Sequence, residues 1–101
     1  MAIIERLGKI KLIPVAVLDH AADACSLAQA LIDGGLPCAE VTFRTAAAAE
    51  AIRTMRTAFP DMLVGAGTVL TAEQAERAAE AGAQFIVSPG FNPTVVQFCL
   101  D

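Results

Sequence analysis

The chain has 101 residues, 55% of them hydrophobic and 18% charged, with a formal net charge of -4 and an isoelectric point near 4.8. That length allows one domain around one core, on the apolar side of ordinary globular composition. An acidic chain whose lysines, Lys9 and Lys11, sit together offers no basic surface to a nucleic acid, and no apolar run approaches the roughly 20 residues that cross a bilayer.

The start, Ile3-Ile4-Glu5-Arg6-Leu7, lacks the charged-then-apolar layout of a secretory signal, so a cytoplasmic protein is expected. Cys25, Cys38 and Cys99 are odd in number and show no Cys-x-x-Cys spacing. They are expected to be buried, reduced thiols, with neither a disulfide framework nor a zinc site. His20 is the single histidine, so the cluster of imidazoles and carboxylates that a metal-dependent enzyme needs is missing, and neither metal nor cofactor is expected.

In chain order, one pattern recurs: apolar strand, polar loop, amphipathic helix. Lys11 to Val17 is β-branched and apolar around Pro14 and predicts a first strand. Ala24, Leu27, Ala28 and Leu31 then lie at helical spacing within 21–32, before Gly34-Gly35 stops the helix. A second strand runs from Cys38 to Arg44. It leads into a helix over 46–59, in which Ala48, Ile52, Met55 and Phe59 form the apolar stripe and Pro60 terminates. Met62 to Val64 enters Gly65-Ala66-Gly67-Thr68, and Thr71-Ala72-Glu73-Gln74 reads as a capping box opening a helix that ends at Gly82. Gln84 to Val87 predicts a fourth strand and Ser88-Pro89-Gly90 a turn. Asn92-Pro93 supplies the N-cap and first position of a last helix, cut off at Asp101.

Strands alternating with helices at this period imply parallel pairing through right-handed crossovers. A (β/α)8 barrel segment, a small doubly wound sheet and a leucine-rich solenoid all fit. The solenoid is disfavoured because the units share no leucine template. Between the other two, the second strand favours the barrel. Its alternation puts Cys38, Glu40, Thr42 and Arg44 on one face and Ala39, Val41 and Phe43 on the other, whereas a central strand of a doubly wound sheet reads apolar on both faces. A polar row enclosed by a barrel needs partners for its charges, and opposite charges held there suggest a substrate site. The expected fold is the α/β class, a (β/α)8 TIM barrel of which about the first four βα units are present.

Other motifs read as structure. Gly65-Ala66-Gly67 lacks the third glycine of a nucleotide fingerprint, since position 70 is Leu70. Ser88 has no base or oxyanion arrangement and takes a turn role. His20, alone in a loop, is read as solvated or capping. Glu40 and Arg44, taken by themselves, divide evenly between a structural ion pair and a site.

Four blocks in fixed order, Ile13-Pro14-Val15, Glu40-Val41-Thr42-Phe43-Arg44-Thr45, Gly65-Ala66-Gly67-Thr68-Val69-Leu70 and Ser88-Pro89-Gly90, resemble the N-terminal half of the 2-keto-3-deoxy-6-phosphogluconate (KDPG) / 4-hydroxy-2-oxoglutarate (KHG) aldolases. The resemblance runs from about Lys9 to the end and implies that 1–101 is the first half of one trimeric barrel domain. It implies a metal-free lyase that splits a 2-keto-4-hydroxy acid into pyruvate and an aldehyde through a lysine Schiff base. By that resemblance Glu40 matches the proton-transferring carboxylate, and Arg44, Thr68 and Pro89 match positions lining the pyruvate pocket. The residues after Glu40 favour the phosphogluconate over the phosphogalactonate branch. The Schiff-base lysine and phosphate site of the family lie on later strands, beyond Asp101, so the chain alone is expected to be inactive. The alternative reading is a non-catalytic half-barrel that acts only through association. The implied partners are a small-molecule 2-keto acid and further copies of the barrel, with no nucleic acid and no membrane.

Overall fold

The computed structural model describes residues 2–101 and keeps the alternation of strands and helices. It opens with a helix that the sequence reading did not anticipate, α1 (Ile3–Ile10), closed by Lys11 in a left-handed conformation (φ 72°). Lys11 thus caps a helix instead of opening a strand. The first strand is correspondingly short, β1 (Val15–Ala16). A single 3-10 turn, Ala21–Asp23, precedes α2 (Ala24–Asp33). Gly34 caps α2, and Gly35, at φ 85°, turns the chain so that Leu36 N–H reaches back to the Leu31 carbonyl. That glycine pair acts as the expected stop signal.

Then follow β2 (Cys38–Thr42), α3 (Ala48–Ala58), β3 (Leu63–Gly67), α4 (Ala72–Ala81) and α5 (Pro93–Leu100). The cap chemistry of the last two helices is as predicted. The Thr71 hydroxyl accepts from Gln74 N–H, and the Gln74 side chain accepts from Leu70 N–H, one residue before the cap. Asn92 Oδ1 accepts from Thr94 and Val95, with Pro93 at the first helical position.

The sheet is three-stranded and parallel in the order β1-β2-β3. Beyond β3 the predicted fourth strand is reduced to one parallel bridge, Ala66 to Ile86, supported by hydrogen bonds from Ala66 N–H to the Phe85 carbonyl and from Val87 N–H to the Ala66 carbonyl. The register places Val15, Glu40 and Gly65 side by side, and Thr42 beside Gly67. Ala39, Val41, Val64 and Ala66, on the opposite face, pack with Ala28, Ile52, Met55, Ala75 and Ala78 of the helices. Small residues on the strands let the helices approach, and the larger Ile52 and Met55 fill the space between. The other face of the sheet carries Glu40.

α1 marks the remaining end of the sheet. Its Arg6 donates to the carbonyl of Asp61, ahead of β3, so Lys9 and Lys11 lie on a helix tied to the N-terminal ends of the strands. No helix among the described residues is long and apolar enough to cross a membrane.

Candidate functional site

Glu40 is the central residue of β2, 8% exposed, in a strand that is buried throughout. No side chain among the described residues ion-pairs with it or hydrogen-bonds to it. The cationic partner expected for it is not found among the described residues. Burial alone pushes its carboxyl above the ordinary glutamate value, because desolvation penalises the charged form. Cys38, two residues earlier on the same face, is likewise pushed up by burial, against the Arg6 guanidinium, which acts in the opposite direction. A thiol so buried is inert. Cys25 and Cys99, in contrast to the expectation of buried thiols, are exposed on helices.

Arg44 is not on the strand. β2 ends at Thr42, and Phe43 to Ala47 form a turn, so the predicted alternation through Arg44 is interrupted and the guanidinium stands exposed, unpaired with Glu40. Long-range bonds redirect the chain. Phe43 N–H donates to the Gly67 carbonyl, and the Thr45 hydroxyl donates at 2.5 Å to the Leu18 carbonyl beyond β1. The Phe43 ring stays on the helix side, with the Arg77 guanidinium 5.8 Å from its centroid.

Thr68 directly follows β3 and holds φ 54° without being glycine, a conformation that costs on the order of 1–3 kcal/mol and collects at functional sites. Pro89 is an exposed residue in the turn after the fourth segment. That turn is tied to the Thr68 loop by the Ser88 hydroxyl, which donates to the Val69 carbonyl at 2.8 Å, and by Val69 N–H, which donates to the Val87 carbonyl. Ser88 is thus a structural tether. His20 precedes the 3-10 turn, exposed, with no side-chain capping bond.

Arg44, Thr68 and Pro89 therefore sit just past the C-terminal ends of consecutive parallel segments, with Glu40 set back inside the sheet. In parallel α/β architectures that rim is where ligands bind. A profile of the KDPG and KHG aldolases matches residues 3–101.

The chain belongs to the KDPG and KHG aldolase family.

Relatives support the assignment along the whole length. The 2-dehydro-3-deoxy-phosphogluconate aldolase of Treponema pallidum is 58% identical over 100 residues, covering 99% of this chain and 48% of that protein. Among solved structures, the KDPG aldolase of Legionella pneumophila, with pyruvate captured as a covalent carbinolamine, superposes with a TM-score of 0.81 at 43% identity, over 85% of this chain and 42% of that one. The 2-keto-3-deoxy-6-phosphogluconate aldolase of Zymomonas mobilis gives 0.81 at 45% identity, over 87% and 42%. The chain spans about half the length of the aldolases it matches.

One feature of the chain is not expected from the sequence. Gly65 and Gly67 strip β3 of side chains on the face of the sheet that carries Glu40. The Phe85 ring occupies the space where a Gly65 Cβ would stand, and the Glu40 side chain occupies that of Gly67. The signal was present, since glycines at alternate strand positions bare one face and mark close approach of a neighbour, but the identity of that neighbour depends on register.

Proposed function

We propose that the chain is the pyruvate-side half of a class I aldolase, a (β/α)8 barrel built from about four βα units here and completed by the remaining strands of the protein. It cleaves 2-keto-3-deoxy-6-phosphogluconate to pyruvate and glyceraldehyde 3-phosphate, or 4-hydroxy-2-oxoglutarate to pyruvate and glyoxylate. The observation that carries this reading is Glu40: a carboxyl held above its ordinary proton affinity by burial, on the sheet face turned away from the helices, behind the C-terminal rim. A proton carrier needs that elevated affinity for its proton together with access to substrate.

Breaking the bond beside a carbinol requires an electron sink, which a protonated imine between a lysine and the 2-keto group provides. Lys9 and Lys11 lie on the wrong end of the sheet, so the imine lysine comes from the other half. Glu40 takes the proton of the C4 hydroxyl as the bond breaks, and returns a proton to the enamine carbon of pyruvate. Arg44, free in its turn, grips the 2-keto acid carboxylate with its planar fork. Thr68 donates its hydroxyl to the same group, and Pro89 walls the pocket. By the family resemblance, the complete barrels associate as cytoplasmic trimers.

Borohydride reduction in the presence of pyruvate tests the assignment. The full-length protein traps one pyruvate per barrel, and peptide mapping finds the adduct outside residues 1–101. An adduct on Lys9 or Lys11 would overturn the placement of the site. Failure of the full-length protein to trap pyruvate would favour the alternative, a half-barrel that acts by association.

A further inference from the structure

We infer that Gly67 is the positioning residue of Glu40: the notch it leaves in the face of β3 is the seat that holds the carboxylate in its working place. The inference rests on the reading of Glu40 as proton carrier. A Cβ placed on Gly67 would collide with Glu40 Oε2 and would stand 2.5 Å from its Cδ and 2.8 Å from its Cγ. All three obstructing atoms belong to one side chain, so the carboxyl lies across the Gly67 Cα.

The backbone gives no other reason for a glycine here. The glycines with positive φ are Gly35 and Gly82, and Gly67 is not among them. Alanine is therefore compatible with the main chain, and what it cannot share is the space Glu40 occupies. The neighbouring notch makes the seat one-sided. Gly65, opposite Glu40 in register, is filled by the Phe85 ring from the next segment. The carboxyl thus has an aromatic ring in the adjoining notch of β3 and bare backbone beneath it. Its own strand neighbour, Thr42, is spoken for by the Ala16 carbonyl.

Moving Cδ from 2.5 Å to ordinary contact at 3.4 Å takes the carboxyl about 1 Å from its seat, a misplacement on the scale that costs roughly 10²-fold in rate. In the full-length protein, Gly67→Ala should lower turnover and the exchange of pyruvate methyl protons with solvent by about that factor. Borohydride trapping and KM for the keto acid should stay near wild type. The acid limb of the kcat profile should move to lower pH, because a carboxyl displaced toward water regains its ordinary affinity for the proton; a fold defect alone would not move it. Should Gly67→Ala fail to fold, the pair Gly67→Ala with Glu40→Ala decides. Folding restored by removal of the carboxyl supports the seat, and unfolding in both backgrounds overturns it. Gly67→Ala with wild-type exchange and an unmoved acid limb, while Glu40→Gln loses exchange, overturns the seat and leaves the role of Glu40 standing. Normal exchange in Glu40→Gln would remove that role, and the seat with it.

Discussion

Thr45→Val should uncouple the turn that carries Arg44 from the rest of the rim. The substitution keeps the branching and removes one donor. In the structure that donor reaches the Leu18 carbonyl at 2.5 Å, across 27 positions of sequence, and Leu18 is 9% exposed. Valine forfeits the hydrogen bond and leaves a shielded carbonyl without a partner, which together cost about 1–2 kcal/mol for a part-buried pair. For a domain the size of its relatives, each kcal/mol lowers the melting temperature by roughly 2–4 °C, so a fall of about 2–8 °C is expected. The turn matters to binding as well as stability, because Thr45 adjoins Arg44. KM for the 2-keto acid should rise, while methyl-proton exchange at saturating pyruvate, which reports on Glu40, stays close to wild type. Thermal melting and steady-state kinetics of the full-length protein provide both readouts, with Thr45→Ser, which retains a hydroxyl, as the control. A melting temperature unchanged by valine, or serine as damaging as valine, would refute the claim that this bond anchors the turn.

Two further outcomes follow from burial. The folded-state affinity of Glu40 for its proton is raised, so the protein loses stability as pH climbs from the ordinary value of 4.5 toward the raised one, and Glu40→Gln, with nothing to ionise, should lose this part of the pH dependence; urea midpoints of the two proteins measured across that window would run parallel if Glu40 were not desolvated. Ile52→Ala deletes a fully buried side chain between α3 and the sheet and should cost about 2–5 kcal/mol, read by denaturant unfolding, whereas a loss under 1 kcal/mol would mean the helix layer is not packed as described.

Local chemistry made some of these features legible in the sequence. Thr71 and Gln74, Asn92 and Pro93, and Gly34-Gly35 each satisfy a helix end through bonds spanning a few residues, so their meaning survives without the fold. The strand character of Cys38 to Thr42 was equally plain. Arg44 was misplaced because alternation has no local marker for its end: the chain leaves the sheet through bonds to Gly67 and Leu18, which are distant in sequence. The cation expected beside Glu40 had the same origin, since one strand cannot tell whether a buried carboxyl has a partner on another. Ile3, Leu7 and Ile10 have helical spacing and announce α1, yet the β-branched residues that follow drew the reading toward a strand. The exposed Cys25 and Cys99 show the limit of residue-type averages, because each sits on the outer side of a helix whose inner side is filled by alanines and valine.

Proton exchange at the methyl group of pyruvate, followed by NMR in deuterated solvent with the full-length Glu40→Gln protein, tests the central claim most directly. The variant keeps the volume of Glu40 and should fold and form the imine, so borohydride trapping persists while exchange falls by roughly 10²-fold or more. Near-normal exchange in a folded variant that still traps pyruvate would contradict the account and return Glu40 to a structural role.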